Sequence, residues 1–146
     1  MNEPLPDVRL VKLVPAPRRE VFEAWLDPEA LRRFMCPAEG SSVSKVEVDP
    51  RVGGAFLILM QVGGQELPHQ GRYLEIERHE RLVFSWHSAV AGPNSRVTLT
   101  FADAADGQTL LSLEHVGLDG DEIRARHEAG WTHILGELSK TAPRAG

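Results

Sequence analysis

The spacing of apolar residues divides the first part of the chain into one strand and two helices. Residues Val8–Val14 alternate apolar and charged side chains, which predicts a strand with one covered face. Over Arg18–Leu26 the apolar residues recur at helical spacing. Asp27 and Pro28 then favour a second short helix, because Asp27 can cap its start and a proline is tolerated in the first turn.

From Val43 onward the apolar period becomes two and predicts six more strands. Turn residues such as Gly63-Gly64 separate these strands, and short strands joined by tight turns are typical of an antiparallel meander. The predicted strands are Val43–Val48, Ala55–Val62, Leu67–Glu77, Arg81–His87, Arg96–Ala102 and Thr109–His115.

The C-terminal segment returns to helical spacing and predicts a long helix with one apolar face. The order β-α-α-β-β-β-β-β-β-α predicts an α+β helix-grip fold, in which a curved antiparallel sheet wraps around this helix. Where the sheet curves away from the helix, the gap between them would form a pocket. We predict a single domain over residues 1–146, with residues 142–146 as a frayed tail. The residues that trace the apolar face are Ile123, His127, Trp131, Ile134, Leu135 and Leu138.

Composition and charge narrow the class of protein. The chain has 146 residues, of which 42% are hydrophobic and 25% charged, the balance of an ordinary globular domain. Its net charge of −5 disfavours binding to nucleic-acid phosphates. The apolar run Ala55–Met60 is far too short to span a bilayer, and no apolar signal segment follows Met1. We therefore expect a cytoplasmic protein that neither binds nucleic acid nor inserts into a membrane.

The familiar motifs of catalysis and of metal or nucleotide binding are missing from the sequence. Cys36 is the single cysteine, which excludes an intrachain disulfide and a multi-cysteine zinc site. His127 is followed by His133 and not by the second histidine of an HExxH motif. Gly53-Gly54 lacks both the lysine of a phosphate-binding loop and the GxGxxG pattern. We therefore predict no catalytic residue, no metal site and no cofactor.

The inward positions of the predicted strands and of the last helix are mostly aromatic and aliphatic. Such a lining, with a few polar groups, is typical of a site for a small apolar ligand. Tyr73, His115 and His127 would orient a polar group of that ligand. The alternative is a closely packed core in which the histidines bond to backbone carbonyls. The candidate ligand-binding residues are Trp25, Phe34, Phe56, Ile58, Met60, Tyr73, Phe84, Trp86, Leu99, Phe101, Leu113, His115, His127, Trp131 and Leu135.

One predicted strand is apolar on both faces. If Phe56, Ile58 and Met60 face the core, then Leu57 and Leu59 face outward. Rows of exposed apolar side chains often mark an interface. A homodimer formed through this surface is therefore our hypothesis.

An ordered set of residues resembles one branch of the START/Bet v 1-like (SRPBCC) superfamily, the branch named for the activator of the 90-kDa heat-shock-protein ATPase. The resemblance implies the helix-grip fold. It also implies a broad choice of function, since relatives bind lipids, sterols or polyketides, others are co-chaperones, and some are cyclases. The matching residues are Pro17, Val21-Phe22, Trp25, Asp27-Pro28-Glu29, Leu31, Val46, Asp49, Arg51, Gly53-Gly54, Gly71, Tyr73, Ile76, Glu80-Arg81-Leu82-Val83-Phe84, Trp86, Val97-Thr98-Leu99, Phe101, Gly107, Thr109, Leu111, His115, His127, Gly130-Trp131, Leu135 and Leu138.

Three functions follow as hypotheses. The favoured one is non-enzymatic binding of a small, mainly apolar molecule between the sheet and the C-terminal helix. The second is an interaction module of the co-chaperone type, with a chaperone as its partner, that stimulates a heat-shock-protein ATPase. The third is an enzyme of the cyclase or hydrolase kind that uses His115 or His127 in the pocket.

Overall fold

The computed structural model describes residues 6–89, 91 and 94–142 and confirms the predicted α+β helix-grip architecture. In the described residues, a seven-stranded antiparallel sheet is combined with three α-helices, the last of which is the longest. In chain order the elements are β1 (Val8–Val14), α1 (Arg18–Ala24), α2 (Pro28–Phe34), β2 (Ser42–Val48), β3 (Ala55–Val62), β4 (Gln65–Glu77), β5 (Arg81–Ser85), β6 (Arg96–Asp103), β7 (Thr109–Val116) and α3 (Asp121–Thr141).

The strands lie in the order β1-β7-β6-β5-β4-β3-β2, so the first strand of the chain pairs with the last. The pairing of β1 with β7 runs from Val8 opposite His115 to Val14 opposite Thr109. Helix α3 lies across the concave face of the sheet, where it packs against β1 at one side and α2 at the other. This arrangement leaves the hairpin of β3 and β4 at the side of the sheet away from β1.

The β3–β4 hairpin is longer than the sequence pattern predicted. Gly63 and Gly64 both have positive φ angles, of 56° and 80°, as a two-residue hairpin turn of the mirror-image type requires. The tight turn lets Val62 pair directly with Gln65. Strand β4 therefore begins at Gln65, two residues before the predicted start at Leu67.

Strand β5 is shorter than predicted and ends at Ser85. Beyond it, His87 forms an isolated bridge with Gln70 of β4. The backbones of the two strands approach closely here. A Cβ atom on Gly71 would lie 1.9 Å from the carbonyl oxygen of Ser85, so a residue with a side chain does not fit at this position. The glycine therefore allows the contact between β4 and β5 that sets the position of Trp86 at the end of the strand.

Aromatic rings fill much of the space between the sheet and the helices. Trp25 meets Phe34 edge to face with ring centroids 4.9 Å apart, and Phe56 meets Phe84 in the same way at 5.5 Å. Edge-to-face contacts of this kind add about 0.5–1.5 kcal/mol beyond the burial of apolar area. All four rings are buried.

The outward row of β3 is only partly exposed. Leu57 and Leu59 lie on the face of the sheet away from α3, and both are half-buried. The neighbours of Leu57 on the adjacent strands are Glu47 and Gln70, and the stems of such long side chains cover apolar surface. The homodimer through this surface stays a prediction.

The end of the chain lies partly within the described residues. Ala142, the first residue of the predicted tail, caps α3 and is buried, with its N–H donating to the carbonyl of Leu138. Residues 143–146, the rest of that tail, lie outside the described residues. Among the helices described, none is long and apolar enough to cross a membrane.

Candidate ligand-binding site

A groove of about 560 Å³ opens between α3 and the β3–β4 hairpin. This volume lies within the range of about 300–1,000 Å³ that is common for small-molecule sites. The segment between α2 and β2 and the segment that follows β5 complete its walls. The residues that line it are Pro37, Ala38, Met60, Val62, Gln65, Leu67, Pro68, His69, Trp86, Ser88, Ala89, Arg126, His127, Ala129, Gly130, Trp131 and Ile134.

The deeper half of the interior holds only a small void of about 10 Å³. A void of this size is at the lower limit for one water molecule. The indole N–H groups of Trp25 and Trp86, both of which border the void, have no hydrogen-bond partner among the described residues.

The fifteen residues predicted to line the pocket fall into three groups. Four of them line the groove, and the others surround the small void or border neither space. The groove takes Met60, Trp86, His127 and Trp131. The void is bordered by Trp25, Phe56, Ile58, Tyr73, Phe84 and again Trp86. Away from both lie Phe34, Leu99, Phe101, Leu113, His115 and Leu135, all of which are buried.

Tyr73 was predicted to orient a polar group of the ligand, but it borders the small void and does not line the groove. Its ring packs on Phe56 with centroids 5.4 Å apart. Burial raises the pKa of the Tyr73 phenol, and the carboxylate of Asp49 raises it further. The phenol is therefore neutral and sits among apolar rings.

His115 is a structural residue that supports the floor of the groove. The indole N–H of Trp131 donates to Nδ1 of His115 at 2.9 Å, so Nδ1 must carry the lone pair. The proton is then on Nε2, which donates to the hydroxyl oxygen of Ser95. Burial, with a smaller contribution from the nearby His127, lowers the pKa of His115 to about 3. The neutral ring thus fixes the position of Trp131.

His127 on α3 and His69 on β4 both line the groove. The Nδ1–H of His127 donates to the carbonyl of Ile123 at 2.8 Å, and that of His69 donates to the carbonyl of Leu67 at 3.1 Å. Burial lowers the pKa of both rings, that of His69 to about 4. Both imidazoles are therefore neutral near pH 7.

Five rings form a continuous aromatic arc from β4 to α3, four of which line the groove while His115 lies behind it. The ring of His69 lies 5.0 Å from that of Trp86, which lies 4.9 Å from Trp131. The arc continues from Trp131 to His115 at 6.0 Å and ends at His127, 5.1 Å further on. We call these five residues the aromatic arc. Because each ring packs on the next, the polar atoms of the two end histidines are held in place.

One hydrogen bond and one ion pair lie at the rim of the groove. The Nδ1–H of His133 donates to the carbonyl of Cys36 at 2.7 Å and ties α3 to the segment that carries Pro37. Arg126 is the one charged side chain among the described residues that line the groove. Its guanidinium lies 3.5 Å from the carboxylate of Glu122, one turn earlier on α3, and the side chain is 63% exposed.

His69 is the groove residue whose absence from the sequence prediction matters most. Strand β4 alternates, so counting back by twos from the inward Tyr73 reaches Gly71, His69 and Leu67. That signal was present in the sequence. Arg126 and Gln65 lie at exposed positions, and no periodicity marks them as lining residues.

The described residues contain no group of three or more His, Cys, Asp or Glu side chains placed to hold a metal ion. Two of the histidines at the groove, His69 and His127, already use Nδ1 in bonds to backbone carbonyls. The groove therefore offers aromatic surface and a few fixed polar atoms.

Comparisons with solved structures extend over nearly the whole chain. Protein CV1439 from Chromobacterium violaceum is 33% identical with a TM-score of 0.79, and the match covers 91% of this chain and 94% of that one. The AHSA1 protein SPO3351 from Silicibacter pomeroyi is 27% identical with a TM-score of 0.78, over 91% of this chain and 94% of that one.

A more distant similarity is to PFC0360w of Plasmodium falciparum, which is described as an HSP90 activator. It is 24% identical with a TM-score of 0.70, over 93% of this chain and 96% of that one, and at this identity the likeness concerns the fold. Among curated proteins, none matches significantly. The model of the family "Activator of Hsp90 ATPase homolog 1-like protein" matches residues 15–142. The chain therefore belongs to the family of Activator of Hsp90 ATPase homolog 1-like proteins.

Proposed function

We propose that this protein binds a small, mainly apolar molecule in the groove between α3 and the β3–β4 hairpin, without catalysing a reaction, and that it does so in the cytoplasm. The observation that carries the proposal is the groove itself, about 560 Å³ in volume beside an otherwise filled interior. Protein interiors are normally close-packed, and a space of this size is therefore a feature to be explained.

The character of the lining supports an apolar ligand. Most of the lining side chains are apolar, among them Leu67, Pro68 and Ala129, and the buried side chains of Met60, Trp86, Trp131 and Ile134 lie behind them. Such a lining favours an apolar ligand, because its binding removes apolar surface from water. The few polar atoms would fix the orientation of the ligand, as is usual for such sites.

Filling the groove from α3 should abolish binding without disturbing the fold. Ala129 is exposed and lines the groove, so the indole of an A129W variant would occupy ligand space. We expect A129W to lose binding of the neutral fluorescent dye N-phenylnaphthylamine, with a free energy of unfolding within about 0.5 kcal/mol of the parent. Dye fluorescence and urea unfolding measure the two quantities.

The matched control is A125W. Ala125 lies one turn earlier on α3, is also exposed, and does not line the groove. The parent and A125W should bind the dye equally, and native mass spectrometry of both should reveal any molecule that co-purifies. Equal dye binding by A129W and A125W, or no binding by the parent, would contradict the proposal.

A second candidate function is that of a co-chaperone, which membership of the family favours. In that case the purified protein should raise the rate of ATP hydrolysis by Hsp90 in a coupled assay, and A129W should raise it as much as the parent does. A rate that is unchanged by the parent protein over a range of concentrations would contradict this candidate. The two functions are thus separated by one variant in two assays.

A further inference from the structure

The two histidines at the ends of the aromatic arc both line the groove, and the same nitrogen of each ring is left without a partner in the part of the chain that the structure describes. In each, the Nδ1–H donates to a backbone carbonyl, Leu67 for His69 and Ile123 for His127. A neutral imidazole has one donor and one acceptor, so Nε2 is an acceptor in both rings. Among the described residues, neither Nε2 atom takes part in a hydrogen bond. Each of these two lining residues therefore has one acceptor nitrogen that is available to a ligand.

Nothing in the lining converts these acceptors into donors. No carboxylate lines the groove among the described residues, so none is placed there to hold a proton on His69 or His127. Burial is the main cause that lowers the pKa of both rings and keeps them neutral. A ligand head that only accepts hydrogen bonds would find no proton on either Nε2.

The one cation of the lining is poorly placed to reverse this preference. Arg126 lies at the rim, with its side chain 63% exposed and its guanidinium 3.5 Å from the Glu122 carboxylate. An exposed and already paired charge contributes little binding energy to a further partner. The inner polar atoms of the groove, rather than its rim, should therefore select the head group.

We propose that the groove selects apolar molecules whose polar head donates a hydrogen bond, such as a phenol or an alcohol, and that it discriminates against carboxylates. His69 and His127 are the candidate acceptors, and the single O–H proton of a phenol or an alcohol donates to one of them, while the apolar lining of the groove binds the apolar body. This inference rests on the proposed ligand-binding function and specifies its ligand class. A ligand without an O–H or N–H group would leave a buried acceptor without a partner. This costs binding energy, so the site should bind such ligands more weakly.

Three probes with the same apolar body and different heads test the inference on the native chain. They are para-hexylphenol, which donates, para-hexylanisole, in which a methyl group replaces the proton, and para-hexylbenzoate, which is a carboxylate at pH 7. By isothermal titration calorimetry at pH 7, we expect the phenol to bind about 10- to 100-fold more tightly than the anisole. The benzoate should bind no better than the anisole.

Removing the acceptors should remove the preference. H69F keeps a ring beside Trp86, and H127F keeps a ring beside His115, but neither variant retains an acceptor at that position. Because the phenol donates to one acceptor, the phenol-to-anisole ratio should fall in at least one of these variants, whereas the control H87F, whose side chain does not line the groove, should keep it. If one variant does not fold, the other and the native probe series still decide.

The outcomes separate this inference from the function on which it rests. Equal binding of the phenol and the anisole, or tightest binding of the benzoate, would overturn the donor-head inference and leave ligand binding intact. If none of the three probes binds the native chain, the proposed function and the inference both fail. An unchanged phenol preference in both H69F and H127F would show that other atoms recognise the head.

Discussion

The variant W131A is expected to lose about 3–5 kcal/mol of its free energy of unfolding. Trp131 is 2% exposed and packs against Trp86, with ring centroids 4.9 Å apart. Its indole N–H also satisfies Nδ1 of His115 at 2.9 Å. Truncation would leave a cavity and an unpaired buried acceptor together. Because domains have about 5–15 kcal/mol of stability in total, the variant should be marginally folded.

Urea unfolding followed by far-ultraviolet circular dichroism measures this loss, and W131F separates its two causes. Phenylalanine keeps a ring in contact with Trp86 but removes the N–H donor, so W131F should lose about 1–3 kcal/mol, less than W131A. A loss below about 1 kcal/mol in W131A would contradict the packing described here. Ligand binding is best tested in A129W, which leaves this buried contact in place.

Stability should fall steeply as the pH is lowered from about 7.5 to 4.5, because His115, like His69 and His127, is buried in its neutral form. Burial lowers its pKa to about 3, below the value of about 6.5 for an unfolded chain. The unfolded chain therefore binds more protons between these two values, and stability rises with pH across that range. The contribution is complete above about pH 6.5 and is lost as the pH falls towards 3. For His115 alone we expect a loss of about 2–3 kcal/mol between the two measured pH values.

The variant H115Q isolates this effect, because glutamine can form hydrogen bonds but does not titrate. The difference in unfolding free energy between pH 7.5 and 4.5 should be smaller in H115Q than in the parent by about 2–3 kcal/mol. The control H87Q, which replaces a histidine outside the aromatic arc, should behave as the parent does. An equal difference in H115Q and the parent would show that His115 does not contribute to the pH dependence of stability.

The core-facing positions were largely predictable because strand and helix periods are local. Val97, Leu99, Leu113 and His115 alternate along their strands as expected, and all four are buried. The resemblance to the family added the expectation of the helix-grip fold, in which these strands form one sheet around the last helix. The placement of His69 was predictable by the same alternation and was missed, because a histidine on a partly polar strand gives no apolar signal.

The amino-acid sequence by itself determined the order of the elements, the face of each that is buried and the family to which the chain belongs. Only the tertiary structure decided where the interior stays open. Trp25, Phe56 and Phe84 fill one half, while the hairpin that turns at Gly63-Gly64 stands away from α3 and leaves the groove in the other half. The physical reason is that a cavity is the difference between the space a curved sheet encloses and the volume of the side chains within it. Periodicity states which side chains point inward, but the curvature of the sheet and the packing of the rings set that difference.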